Sequence, residues 1–153
     1  MINIFYKQEL QSVLLKLEPG AQPLWGKMSP QHVVEHLTKT VKASVGKIPV
    51  KLYLEPEAAE VLKQKLIYGD MQLSPGIKSP VMGDEPPALV YPDLSSAMQE
   101  LYAEMDHFRL YYAQNSEAMH THPRMGDLKH AEWKVFHSKH FAPLQTIRAV
   151  VTS

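Results

Sequence analysis

The sequence predicts an all-α protein, a four-helix bundle with a proline-rich crossover loop between its second and third long helices. Four separate segments carry apolar residues at three-and-four spacing, the repeat that lines one face of an α-helix. None alternates apolar and polar residues with period two for long, so no substantial β-sheet is expected. The chain has 153 residues, 44% hydrophobic and 21% charged. That suits one domain spanning 1–153, because folding at this length removes roughly 68–70% of the surface an unfolded chain exposes.

The first helix is expected over Asn3 to Leu17, where Tyr6, Leu10, Val13, Leu14 and Leu17 share a face, and it ends at Glu18-Pro19-Gly20. The second opens at Ser29-Pro30, a hydroxyl N-cap followed by proline at the first helical position, and closes at Gly46. Val33, Val34, Leu37, Val41 and Val45 form its stripe, and His36 falls at the edge of it. A short helix is expected from Pro56 to about Tyr68, stopping at Gly69. Prolines 75, 80, 86, 87 and 92, with Gly76 and Gly83, then prevent a helical ladder, and the resulting loop over 70–92 is expected to cover one end of the bundle. The third long helix follows Asp93, its N-cap, and uses Leu94, Met98, Leu101, Met105, Phe108 and Tyr112. The last runs from about Lys129 to Val151, with Trp133, Phe136, His140, Leu144, Ile147 and Val151 on one face and a kink near His140 caused by Pro143.

Composition removes several functional classes. Sixteen basic residues balance sixteen acidic ones, and no long basic run exists, which argues against nucleic acid as a partner because that affinity is largely counterion release. No stretch approaches a membrane span or the apolar run of a signal peptide, so a cytoplasmic protein is expected. Without cysteine there is no disulfide, thiolate metal site or cysteine nucleophile, and any metal must use His, Asp, Glu or water. The Gly20–Lys27 stretch has the wrong glycine spacing for a phosphate loop, with Met28 where a magnesium-binding hydroxyl belongs. His130-Ala131-Glu132 matches the start of a zinc-deaminase motif that needs a cysteine pair.

Eight histidines remain as the chemical signal. His32 and His36 are four apart on one helix, His137 and His140 three apart on another, and His120-x-His122 lies between the last two helices. Neutral imidazole suits Zn, Ni, Cu or Fe. His140 stands out, since an imidazole centred on an apolar face needs a partner for each ring nitrogen: a metal, a carboxylate or a carbonyl. His32, farther from the stripe than His36, reads as a solvated surface residue. Trp25, Trp133, Phe136, Phe141, Met98 and Met105 read as core side chains first, while Tyr102, Tyr111, Tyr112 and Arg109 read as surface or rim residues.

Trp25-Gly26-Lys27-Met28-Ser29-Pro30-Gln31 with His36-Leu37, then His122-Pro123, Gly126, Leu128, Glu132-Trp133, Phe136-His137 and Lys139-His140-Phe141, resemble the DinB/YfiT-like metalloenzyme superfamily. The similarity is closest to the branch whose last helix reads F-H-Y-K-H-F-x-H-H-x-x-Q-F. It spans nearly the whole chain and is thin in the proline-rich middle. The resemblance implies a DinB/YfiT-like four-helix bundle, often a homodimer, with a divalent metal such as Ni or Zn held by one histidine of the second helix and an H-x-x-x-H pair of the last. Carried over, these positions are His36, His140 and residue 144. This chain has Leu144 there, preceded by Pro143, so the third ligand is an alkyl group. His137 or a carboxylate is the expected substitute if a third donor exists.

Relatives with complete sites include thiol-linked transferases and isomerases, and similar bundles accompany oxepin-CoA hydrolase-type proteins. Two readings follow. In the favoured one the site is degenerate and the bundle binds a small molecule, holding metal weakly or not at all. In the alternative, a metal at His36 and His140 activates a thiol or water as a Lewis acid. His36 and His140 are expected to face each other across the interior.

Overall fold

The computed structural model describes residues 3–17, 28–73, 86–142 and 144. Its elements in chain order are α1 (Lys7–Leu14), α2 (Pro30–Ser44), α3 (Pro56–Leu66), α4 (Leu94–Gln114), β1 (Met119–His122), β2 (Gly126–Lys129) and α5 (His130–Phe141). The expected all-α four-helix bundle is therefore corrected to a mixed α/β protein, with five helices and an antiparallel hairpin of β1 and β2 among the described residues. Each strand has four residues, too few for a period-two pattern to register in the sequence.

Tertiary contacts hold the hairpin in place. His122 pairs with Gly126, whose φ of 75° turns the chain after Pro123, Arg124 and Met125. Leu128 is buried, the Trp133 indole N–H donates to the His120 carbonyl at 3.2 Å, and Tyr53 N–H donates to the Pro123 carbonyl at 2.8 Å.

The α2 and α4 helices make the principal helix–helix contact. Ser29 caps α2 as its type predicts, accepting from His32 N–H at 3.2 Å, and the reciprocal bond runs from Ser29 N–H to His32 Nδ1. His32 is thus a capping residue, a role its distance from the apolar stripe did not suggest. The other end of α2 closes as Gly46 predicts. At φ 82°, Gly46 N–H donates to the Ala43 carbonyl and Lys47 N–H to the Lys42 carbonyl, satisfying two terminal acceptors in a Schellman arrangement.

Asp93 caps α4 through Ser96 N–H at 2.7 Å, and all six residues of the expected stripe, Leu94 through Tyr112, are buried. The α1 helix is shorter than its apolar pattern. Asn3 to Tyr6 form a turn in which Asn3 Oδ1 accepts from Phe5 N–H, while Ile4 and Leu17 still reach the core from outside the helix.

Lys139 on α5 fastens the C-terminal end of α3 by donating to the Leu66 carbonyl, an acceptor the helix end leaves open, and to the carbonyls of Gly69 and Met71 just beyond it. The segment before α4 is tied to α2 by Glu35, which accepts from Val90 N–H at 2.7 Å and Tyr91 N–H at 3.2 Å. Trp25, Pro143, Ile147, Val151 and the proline-rich part of the crossover over 74–85 lie outside the described residues, as does the expected kink at Pro143. Among the described residues no helix is long and apolar enough to cross a membrane.

Candidate functional site

Two imidazoles separated by 104 positions meet where α2 crosses α5. His36 Nε2 lies 3.2 Å from His140 Nε2, with ring centroids 5.0 Å apart and planes at 78°. His36 reaches the seam because it borders the α2 stripe one turn after Val33, which is wholly buried. His140 is held by Phe136, one turn earlier on α5, whose ring stacks on it at 5.0 Å. Both residues are half-buried.

Enclosure keeps the pair uncharged. Burial, then the neighbouring Lys39 charge, pushes the His36 imidazole down to about 4. Burial likewise holds His140 well below the ordinary histidine value, reinforced by His36, His137 and His122. Neutral imidazole is the form that offers a lone pair to a metal, a proton or a ligand hydrogen.

His137 has a different setting one turn before His140. It is fully buried, its Nε2 is 3.0 Å from Ser44 Oγ, and its ring stacks on Trp133 at 5.4 Å. The single Ser44 hydroxyl proton is directed at the Val41 carbonyl at 2.6 Å, so Ser44 accepts and His137 donates from Nε2. That assignment leaves Nδ1 as the acceptor, and it has no hydrogen-bond partner among the described residues. Burial, then His122, pushes the His137 imidazole down to about 3.

His122 arrives on the hairpin, the element the sequence pattern did not reveal. Its Nδ1 accepts from Arg124 N–H at 3.1 Å and its ring meets Phe136 edge-on at 4.4 Å. Burial, then the Arg124 charge, pushes it down to about 3. The HP dipeptide was visible in the sequence; its proximity to α5 required the chain reversal at Gly126.

Leu144 is buried in the apolar core, 2% exposed. Among the described residues no three His, Asp or Glu side chains converge closely enough to hold a metal. Glu132 is engaged elsewhere: it accepts from Lys129 N–H at 2.9 Å and from the Tyr68 hydroxyl, with Lys63 Nζ at 3.6 Å. Trp133, Phe136, Phe141, Met98 and Met105 are core side chains. Tyr102 and Tyr112 are buried rather than rim residues, and the Tyr112 hydroxyl donates to the Ser44 carbonyl at 2.5 Å. Arg109 is exposed beside Asp106 at 3.3 Å.

Comparison with known proteins returned no matching curated protein and no matching solved structure. A family model described as "Protein of unknown function (DUF1569)" matches residues 8–147, a span holding α2, the hairpin and both histidines of the seam. The chain belongs to the DUF1569 family.

Proposed function

We propose that this protein is a relative of the DinB/YfiT-like metalloenzymes with a reduced metal centre, in which His36 and His140 hold a divalent ion weakly and a small molecule completes its coordination. The observation that carries this reading is the 3.2 Å between the two Nε2 atoms. Two imidazole nitrogens bound side by side to one zinc-like ion, each at about 2.0–2.1 Å, stand ~3.0–3.4 Å apart. The donor set fits in type as well, since both rings are neutral and each Nε2 offers a lone pair when the ring proton sits on Nδ1.

The fit stops at two ligands. Leu144 contributes only alkyl surface at the position where the resemblance implies a third imidazole, and catalytic zinc sites typically use three protein ligands. Affinity is accordingly low. When bound, a divalent ion supplies Lewis acidity, polarising an oxygen or lowering the pKa of a coordinated water or thiol. The protein side chains do the positioning: Phe136 fixes the plane of His140, and the partial exposure of the pair leaves a route for the small molecule.

A metal-free reading is favoured by the burial of Leu144, which fills its position as ordinary core, and by the direct approach of the two rings, close enough for one imidazole N–H to donate to the other. The readings separate on protein purified without a polyhistidine tag and titrated with Zn²⁺, Ni²⁺ and Co²⁺. One ion per chain, lost in both His36→Ala and His140→Ala with the fold intact by circular dichroism, supports the metal centre. No binding, or binding indifferent to both substitutions, rejects it and leaves the metal-free reading.

A further inference from the structure

At the far end of α2 from the histidine seam, a cleft of about 180 Å³ opens between the α2 terminus and the hairpin, bordered by Gly46, Ile48, Pro49, Val50, His120 and Thr121. Its volume is below the ~300–1,000 Å³ of sites that take drug-sized ligands. Its polar side is organised around His120. The Tyr111 hydroxyl lies 2.7 Å from His120 Nε2, and the Trp133 indole N–H fixes the His120 backbone carbonyl at 3.2 Å.

Gly46 belongs to the same construction. A Cβ at that position would stand 2.6 Å from His120 Cε1 and 2.9 Å from Nδ1, so only glycine lets this edge of the ring lie against the backbone. Gly46 and His120 both border the cleft, which puts the Cε1–Nδ1 edge at its wall. A phenol is a better donor than imidazole and imidazole a better acceptor, so the Tyr111 proton goes to Nε2 and the ring proton stays on Nδ1. Thr121 gives its hydroxyl proton to Asp127 Oδ1 at 2.6 Å and is left as an acceptor. Ile48, Pro49 and Val50 complete the wall, and the lining as a whole presents more polar than apolar surface.

We propose that this cleft is a second ligand site, separate from the His36–His140 seam, which takes a small polar molecule with a carbonyl-type oxygen, the oxygen accepting from His120 Nδ1–H. Tyr111 acts as a positioning residue that fixes the His120 tautomer, and Gly46 makes room for the ring.

The test uses isobutyrate and its neutral counterpart isobutyramide, titrated into the full chain in the presence of a chelator, so that failure of the metal centre does not affect the result. Histidine Cε1–H signals and backbone amide signals are followed by NMR. Saturable shifts at His120 Cε1–H and at the Val50 and Thr121 amides support the site. Response to isobutyrate alone identifies a carboxylate pocket; response to both identifies a neutral carbonyl acceptor site. His120→Phe should weaken binding about tenfold, the loss of one good hydrogen bond, and Tyr111→Phe, which keeps the ring packing, roughly threefold. Absence of saturable shifts at these three positions, or binding unaltered in both folded variants, overturns the proposal. Should His120→Phe not fold, an unaltered affinity in Tyr111→Phe alone also overturns it.

Discussion

His137 and His140 stand one turn apart on the same helix and live in different chemistry. His137 is closed in: Ser44 takes its Nε2 proton, Trp133 covers its ring, and it has no exposed surface. His140 is half-buried and points its Nε2 at a second imidazole from α2. The roughly 100° turn per residue of an α-helix rotates a side chain about 60° away from perfect alignment over three positions. Here that rotation separates a histidine packed against Trp133 and Ser44 from one that meets His36 across the α2–α5 seam.

The largest expected effect breaks the comparison at its buried member. Replacing His137 with alanine opens a cavity beside Trp133 and strips Ser44 of its donor, at a cost of about 3 kcal/mol in urea unfolding. His140→Ala, at the half-buried position, should cost about 1 kcal/mol or less. Equal losses at the two sites would show that both histidines are structural.

Acid should act most through the enclosed rings. His122 and His137 are pushed down to about 3 from an ordinary value of 6.5. Below 6.5 the unfolded chain therefore takes up protons that the folded chain refuses. The stability from keeping these groups neutral is complete above pH 6.5 and is lost progressively as pH falls toward 3. Thermal melting between those limits should show a falling midpoint, with a shallower slope in a folded His137→Phe variant. An unchanged slope in that variant would remove His137 from the acid response.

Leu144→His sharpens the other half of the comparison by offering the seam a third imidazole at four-residue spacing. A gain of about tenfold in Zn²⁺ or Ni²⁺ affinity is expected, ~1.4 kcal/mol. Because proline at 143 withholds an amide donor, Pro143→His with Leu144→His is the stronger variant. No gain in either folded variant would mean that residue 144 no longer faces the seam.

The smallest effect concerns His32, whose role is neither packing nor coordination. Ser29→Ala should destabilise the protein by about 1 kcal/mol through loss of the α2 cap, and His32→Ala by less, since the serine bond to His32 N–H survives it. Equal losses would show that the imidazole half of the capping box matters as much as the hydroxyl half.

The legible parts of this protein are those written in contiguous residues. Ser29-Pro30 and Gly46 mark the limits of α2, Asp93 marks the start of α4, and the α4 stripe is buried throughout, because caps and helical periodicity depend on neighbours within one or two turns. The histidines His36 and His140 could be nominated as candidates from the same local patterns. What each does was decided elsewhere in the chain. His140 meets His36 because α5 packs on α2; His137 is closed off by Ser44; His122 and His120 gain their partners because Gly126 reverses eleven residues into a hairpin too short and too polar to announce itself. Lys139 becomes the cap of α3 through carbonyls about 70 positions away. A hydrogen bond between distant residues depends on distances and directions set only when the whole chain has packed, and no local periodicity encodes them.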